Sequence, residues 1–241
     1  MAREHGINMI LVPVLTPPLD TEVGRERPTT QLVDITYENG KYTFDFAKLD
    51  KFIAIAQECN INYFEINHMF TQWGAHNAPK VIATVNGEKK KIFGWETEAT
   101  GKEYREFLAQ LIPALLERLH TLGLTKEQIY FHASDEPNKN CIDSYTGAVE
   151  VIKPLVEGYT LIDALSDIEF YKNGLVKKPI VGIDHIESFV KENVEGLWGY
   201  YCCAQTWDVP NRFFSMALPR VRIPGVLIYL YKLEGFLQWG Y

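Results

Sequence analysis

The chain has 241 residues, of which 46% are hydrophobic, 13% aromatic and 23% charged. This composition is typical of a globular protein, and we expect one large domain over residues 1–241. The formal net charge of −7 argues against a general nucleic-acid-binding protein, which would carry a basic surface. Charged residues interrupt every apolar stretch before it reaches the roughly 18 residues of a membrane span. We therefore expect a soluble protein without nucleic-acid or membrane partners.

The start of the chain and the cysteines both predict a protein that is not exported. Residues 1–8 are polar, and the apolar residues after them contain Pro13, which predicts a strand and not the core of a signal peptide. The default expectation is therefore a cytoplasmic protein. The four cysteines have neither the CxxC spacing of a zinc site nor the density of a disulfide scaffold, so we expect free thiols.

Short apolar runs alternate with amphipathic stretches, which predicts parallel strands joined by helical crossovers. The predicted strands are residues 7–15, 63–67, 129–134, 160–165, 179–183, 197–203 and 235–240. The predicted helices are residues 44–59, 102–122, 144–156, 188–193 and 213–233, with Pro219 and Pro224 expected to bend or interrupt the last one. Residues 16–42 and 69–99 lack a regular pattern, and we expect long loops that wall a pocket and contribute Trp73 and Trp95 to it. The lysine run at residues 89–91 is expected to form a solvated hairpin.

Seven strands without a glycine-rich nucleotide loop fit an α/β fold of the (β/α)8 TIM barrel type better than an open doubly wound sheet. The predicted barrel is incomplete, with its first strand missing beside residues 7–15. Such barrels place ligand-binding groups at the C-terminal ends of their strands. A ring of polar and aromatic residues, suited to binding a sugar, follows the predicted strands: Asn67, His68, Asp135, Glu136, Ser166, Asp167, Asp184, His185, Tyr200, Tyr201 and Trp239.

The third predicted strand ends in Asp135 and Glu136, which Pro137 follows. Alternation along the strand sends His132 and Glu136 to the interior of the barrel, where His132 is a candidate for binding substrate. Proline cannot continue the strand and is expected to keep Glu136 extended. Two adjacent carboxylates should have pKa values that move apart, so that an acid and an anion coexist near neutral pH. The same tripeptide is also typical of an ordinary helix start, which leaves the role of the pair open on composition alone.

Three segments occur in the order and spacing of a known family: residues 132–137 (HASDEP), 197–203 (LWGYYCC) and 234–241 (EGFLQWGY). With these motifs the chain resembles glycoside hydrolase family 123 and the related bacterial domains of unknown function. The resemblance implies a barrel domain of a β-N-acetylgalactosaminidase, which retains configuration by using the 2-acetamido oxygen of its substrate as the nucleophile. Similar proteins carry a β-sandwich and a first barrel strand that we expect to be missing here.

The resemblance also implies roles for individual residues. Glu136 is the expected general acid and base, and Asp135 is expected to orient the acetamido nitrogen. Either Tyr200 or Tyr201 would donate to the acetamido oxygen, and Trp239 would stack on the sugar. Arg222 is a candidate for binding a substrate hydroxyl, or is equally a surface residue.

Two alternatives remain open in the sequence. A catalytically silent carbohydrate-binding barrel would use the acids only to bind hydroxyls. An ordinary retaining glycosidase would pair Asp135 or Glu136 with a second carboxylate such as Asp184. His68 and His185 lack a third ligand in the pattern, so we expect no metal, and no motif indicates a cofactor.

Overall fold

The computed structural model describes residues 3–19, 21–206 and 208–238. Trp239 and the end of the last predicted strand therefore lie outside the described residues. In chain order the strands and α-helices are β1 (Met9–Val12), β2 (Asp34–Glu38), β3 (Lys41–Asp45), α1 (Ala47–Glu58), β4 (Tyr63–Ile66), β5 (Val81–Val85), β6 (Glu88–Phe93), α2 (Lys102–Thr121), β7 (Ile129–His132), α3 (Ile142–Ile152), β8 (Thr160–Leu165), α4 (Glu169–Lys172), β9 (Lys178–Gly182), α5 (Ile186–Lys191), β10 (Trp198–Tyr200), α6 (Leu218–Leu230) and β11 (Gly235–Leu237).

The main sheet is parallel and has seven strands in the order β1, β4, β7, β8, β9, β10 and β11. Each strand neighbours the next of the seven in sequence, as in a barrel and unlike a doubly wound sheet. The sheet is curled into a half-barrel, and β1 and β11 are its outer strands. The α/β class, the seven strands and the open edge at β1 are thus confirmed.

The two long insertions are more regular than the sequence analysis predicted. They form a second sheet in the order β3, β2, β5 and β6, in which two antiparallel hairpins are joined by the parallel pair β2 and β5. Each hairpin turns at an Asn-Gly dipeptide whose residues both have positive φ, at positions 39–40 and 86–87. Two such residues in succession are what a tight hairpin of type I′ requires. The expectation of irregular loops was therefore wrong, except for the solvated hairpin predicted at residues 89–91, which is confirmed.

The predicted crossover helices form where they were expected, with two differences, and the short helix α4 was not predicted. Helix α1 begins at Ala47 because the residues before it belong to strand β3. Helix α6 begins only at Leu218, and Pro219 lies in its first turn, where no backbone N–H is needed. Pro224 lies within α6 and does not interrupt it, so of the two predicted effects only a bend at Pro224 stays a prediction. No helix among the described residues is long and apolar enough to cross a membrane.

Alternation along the strands divides the apolar residues between two faces of the main sheet. The larger core lies between the sheet and its helices and includes Phe64, Phe131 and Leu111. A smaller cluster includes Ile162 and Ile180 from the neighbouring strands β8 and β9 and fills part of the concave face. The acidic segment that follows β7 therefore begins from a strand that is packed on both sides.

We expect Phe131→Ala to lower the free energy of unfolding by about 3–5 kcal/mol, because the fully buried ring would leave a cavity. Urea unfolding followed by circular dichroism measures the loss. Phe214→Ala is the matched control, since that ring is fully exposed, and it should change the value by less than about 0.5 kcal/mol. Similar losses in the two variants would contradict the placement of Phe131 in the core.

Candidate active site

Asp135 and Glu136 lie just beyond the end of β7, and both are partly buried. The backbone of Glu136 has φ of 46°, in the left-handed region that non-glycine residues rarely adopt. The expectation that Pro137 keeps Glu136 extended was therefore wrong. Two backbone hydrogen bonds hold this geometry: Glu136 N–H donates to Ala164 O at 2.9 Å, and Asp135 O accepts from Trp73 N–H at 2.7 Å. Tertiary contacts thus override the local preference.

The Glu136 carboxylate faces strand β10. Tyr200 donates its hydroxyl proton to Glu136 Oε1 at 2.8 Å, and Cys202 Sγ lies 3.5 Å from the same oxygen. Burial and the nearby Glu136 charge raise the pKa of Tyr200, so the phenol remains a donor. Burial also raises the pKa of Cys202 to about 11, with a further contribution from Glu136, so this residue is a thiol near neutral pH. Both neighbours therefore offer protons to Glu136.

Asp135 is the member of the pair with a raised pKa, at about 8. Burial is the largest cause, and the charges of Glu136, Asp163 and Glu65 add to it, whereas His132 lowers the value. Adjacency to a like charge is thus a smaller cause than the sequence analysis assumed. Asp135 holds a proton near neutral pH in the free protein.

A buried cluster of ionisable residues lies behind the acidic pair. His132 Nδ1 is 2.7 Å from Glu65 Oε1, and its Nε2 is 3.5 Å from Asp163 Oδ1. Burial lowers the pKa of His132, but the bonds to Asp163 and Glu65 outweigh it and leave the pKa raised. Ala164 N–H also points at Nε2 at 3.2 Å, a contact that suits a neutral ring. The cationic form prevails, because a neutral ring would leave two buried carboxylates without a counter-charge.

Asn67 and His68, which were predicted to bind substrate, are buried beside this cluster. The Asn67 side chain accepts from Leu15 N–H at 2.9 Å and donates to His68 O at 2.8 Å, so its amide joins two loops. The His68 ring lies 3.9 Å from the His132 ring, and neither of its nitrogens has a hydrogen-bond partner among the described residues. Burial, followed by the charge of His132, places the His68 pKa well below its ordinary value, so this ring is neutral.

Three residues of this region are close enough to be considered as metal ligands. Glu65, His68 and His132 place possible ligand atoms within 4.8 Å of one another, a group that includes one of the two histidines considered in the sequence. The hydrogen bond between Glu65 and His132 already uses one atom of each, and a metal ion would have to displace the shared proton. The expectation that the protein binds no metal stays a prediction.

Polar groups from β8 and β9 extend the site away from Glu136. Gln205 Nε2 donates to Asp184 Oδ1 at 2.9 Å, and Tyr200 has a further hydrogen bond with Ser166. A Cβ atom on Gly182 would lie 2.8 Å from Asp184 Oδ1 and 2.9 Å from Ser166 Oγ. Glycine at this position therefore leaves the space in which the two polar side chains approach each other.

The remaining predicted residues lie apart from the acidic pair. The Tyr201 ring packs against Phe236 at 5.0 Å, while Arg212 lies over it at 5.8 Å, so Tyr200 is the tyrosine that reaches Glu136. Trp95 Nε1–H donates to Arg25 O at 2.8 Å, and its side chain lines a small cleft between the insertions. That cleft includes neither acid. Arg222 is exposed on α6.

Sequence reasoning missed three residues around the pair, namely Glu65, Asp163 and Gln205. Glu65 and Asp163 lie within apolar strands, and an acid in such a strand is a signal that could have been used. Trp73, which was expected to wall the pocket from a loop, contacts Asp135 through its backbone, and its side chain remains 45% exposed. Gln205 follows β10 in an irregular segment, where the sequence offers no signal.

The comparisons with known proteins agree with this arrangement. The whole chain, residues 1–241, matches the family model described as "Glycoside hydrolase 123, catalytic domain". The chain belongs to glycoside hydrolase family 123. The resemblance inferred from the three motifs is thereby confirmed, and this family 123 domain is identified as a glycoside hydrolase domain. No curated protein matches the sequence.

A solved structure with the same fold is a family 123 glycoside hydrolase from Clostridium perfringens, which is described as acting in glycolipid glycan hydrolysis. The match has a TM-score of 0.75 at 14% sequence identity and covers 100% of this chain and 43% of that chain. The chain thus spans less than half the length of that protein.

The raised pKa of Asp135 predicts a pH-dependent effect on stability. An aspartate in the unfolded chain has a pKa of about 3.9, whereas Asp135 in the folded protein has a pKa of about 8. The folded protein is therefore most stable when Asp135 is protonated, and it loses stability as the pH rises from about 4 toward about 8. We expect Asp135→Asn to raise the free energy of unfolding by about 1–3 kcal/mol at pH 8 and to change it little at pH 4. The lower figure allows for the partial exposure of the carboxyl group.

Urea unfolding at the two pH values measures this difference. Asp143→Asn, at an exposed position on α3, is the matched control and should have no comparable effect at either pH. A variant at Asp135 that is less stable than the parent at pH 8 would show that the burial of this carboxyl is not costly.

Proposed function

We propose that this domain hydrolyses β-linked N-acetylhexosamines, galactosaminides in particular, with retention of configuration and with the 2-acetamido oxygen of the substrate as nucleophile. The observation that carries the proposal is the position of Asp135 and Glu136 as neighbours at one strand end. Adjacent Cα atoms are about 3.8 Å apart, so the two acids act from one side. A conventional retaining pair instead faces the glycosidic bond from both sides, with carboxyl groups about 5 Å apart.

In this mechanism Glu136 protonates the leaving oxygen and later activates water, while Asp135 accepts a hydrogen bond from the acetamido N–H. The free protein has its proton on Asp135, whose pKa is about 8. The acetamido N–H favours the anionic form of Asp135, and so does the positive charge that develops on the ring formed by acetamido attack. The proton of the pair would then reside on Glu136 when substrate is bound, as a general acid requires.

The neighbouring groups supply the remaining contacts of the proposed site. Tyr200 is preferred over Tyr201 as the donor to the acetamido oxygen, because its hydroxyl lies at Glu136. Asp184 is proposed to bind a sugar hydroxyl beyond Tyr200, and its position next to Gly182 supports this role. The exposed Trp73 offers an aromatic surface beside Asp135, and Trp239 is proposed to stack on the sugar as the family resemblance implies.

Two wider assignments belong to the same proposal. We take the half-barrel to be part of a (β/α)8 barrel, because its seven strands follow one another around the sheet in sequence order. Glycolipid glycans, with whose hydrolysis the Clostridium perfringens protein is associated, are a reasonable source of the amino sugar.

The requirement for an acetamido group tests the proposed nucleophile. We expect 4-nitrophenyl N-acetyl-β-galactosaminide to be hydrolysed at least about a hundredfold faster than the matched β-galactoside, because only the former carries its nucleophile in position. Release of nitrophenol measures both rates. Equal rates would indicate a conventional mechanism, with Asp184 as the candidate second carboxylate, and binding without hydrolysis would indicate a silent carbohydrate-binding barrel.

The division of labour between the acids predicts different responses to the leaving group. Glu136→Gln should slow the hydrolysis of poor leaving groups by roughly a hundredfold or more, and slow an activated aryl glycoside far less, because the latter needs little protonation. Asp135→Asn should slow both alike, since the charge that it stabilises develops with every leaving group. Measurement of kcat over a series of aryl leaving groups gives the two dependences. Identical dependences in the two variants would contradict the assignment.

A further inference from the structure

Asp135 is fixed through the backbone on both of its sides. Ser134 N–H donates to Asp163 Oδ2 at 2.9 Å, and Glu136 N–H donates to Ala164 O at 2.9 Å. Both acceptors belong to β8, and they are consecutive residues. The position of the acidic pair therefore depends on how the end of β8 is held.

The ring of His132 contacts both of these β8 residues. Its Nε2 lies 3.2 Å from Ala164 N and 3.5 Å from Asp163 Oδ1, and its Nδ1 lies 2.7 Å from Glu65 on β4. A single buried ring thus joins the neighbouring strands β4, β7 and β8 at the end of β7, just before the segment that contains Asp135 and Glu136. Tyr145, which donates to Asp163 Oδ2 at 2.7 Å, holds the same carboxylate from the helical side.

The charges around the pair support a functional role for this contact. The ionisable groups that act on Asp135 are Glu136 on its own segment, Glu65 on β4, Asp163 on β8 and His132 on β7. His132 is the single group of these that lowers the pKa of Asp135, and burial and the three acids raise it. The neighbouring ring of His68 is neutral and does not substitute for this charge.

We propose that His132 is a positioning residue, which holds the Asp163 carboxylate at the end of β8 and so fixes the acidic pair, and which keeps a positive charge beneath Asp135. This role deepens the proposed function and rests on it for its effect on catalysis. Its structural and electrostatic part can be tested without any substrate, so failure of the two proposals can be told apart.

The direct test is a ¹³C NMR titration of the Asp135 carboxyl group, assigned by its loss in Asp135→Asn. In His132→Gln we expect the midpoint of Asp135 to move up by about one pH unit or more, because a neutral side chain no longer favours the anion. His120→Gln is the matched control. That ring also makes two hydrogen bonds, to Leu124 O at 2.8 Å and Tyr159 Oη at 2.6 Å, but it lies at the end of α2.

A kinetic measurement tests the catalytic part. The competent pair carries one proton, so kcat/KM should fall as the pH rises through the midpoint of Asp135. In His132→Gln this fall should move to higher pH, and kcat should drop tenfold or more while KM changes less than threefold. A residue with a merely structural role would lower the plateau and leave the midpoint in place.

Three outcomes would overturn the proposal: an unmoved Asp135 midpoint in a folded His132→Gln variant, an equal shift in His120→Gln, or an unchanged kcat in an active protein. If His132→Gln does not fold, ¹⁵N NMR of the histidine rings in the unmodified protein decides the matter. One ring should keep protons on both nitrogens at pH 8, and six neutral rings at that pH would contradict the proposal.

Discussion

Glu136 keeps a left-handed backbone because its amide is bonded to the carbonyl of Ala164 on the neighbouring strand. A proline follows Glu136 and favours an extended conformation, so this one hydrogen bond opposes the local preference of the chain. The bond exists because β7 and β8 are parallel and in register up to His132 and Ile162, just before the segment departs. The curvature and register of the sheet thus decide where the two carboxyl groups lie.

The site combines features that oppose stability. Asp135 is costly to ionise, two acids lie buried within strands, and the buried His68 ring has no hydrogen-bond partner among the described residues. Interior positions of this kind are normally apolar, and groups with perturbed pKa values concentrate where a protein carries out chemistry. The large core between sheet and helices contains no comparable cluster among the residues described. The protein therefore confines its unfavourable interactions to one end of β7 and its neighbours.

Much of the fold could be predicted from the sequence, because buried parallel strands are continuous apolar runs and the crossover helices carry clear apolar stripes. The first hairpin was missed although Asn39-Gly40 carries the turn signal, since the strands around it are short and half exposed, and the second was recognised only by its lysine run at residues 89–91. The acidic pair was located by its position after a strand. Its conformation could not be predicted, because the contacts with Trp73 and Ala164 come from distant parts of the chain. The partners of Glu65 and Asp163 could not be predicted either, because they also lie far away in the sequence.

The second sheet has a consequence for how such domains diverge. One insertion supplies β2 and β3, the other supplies β5 and β6, and the pair β2 and β5 joins them. Gln31 of the first insertion also bonds the backbone N–H and carbonyl of Ile82 in the second. Loss of either hairpin would expose an unpaired strand edge on the other, which invites association with other chains. The two insertions are thus expected to be inherited as a unit, gained or lost together during evolution.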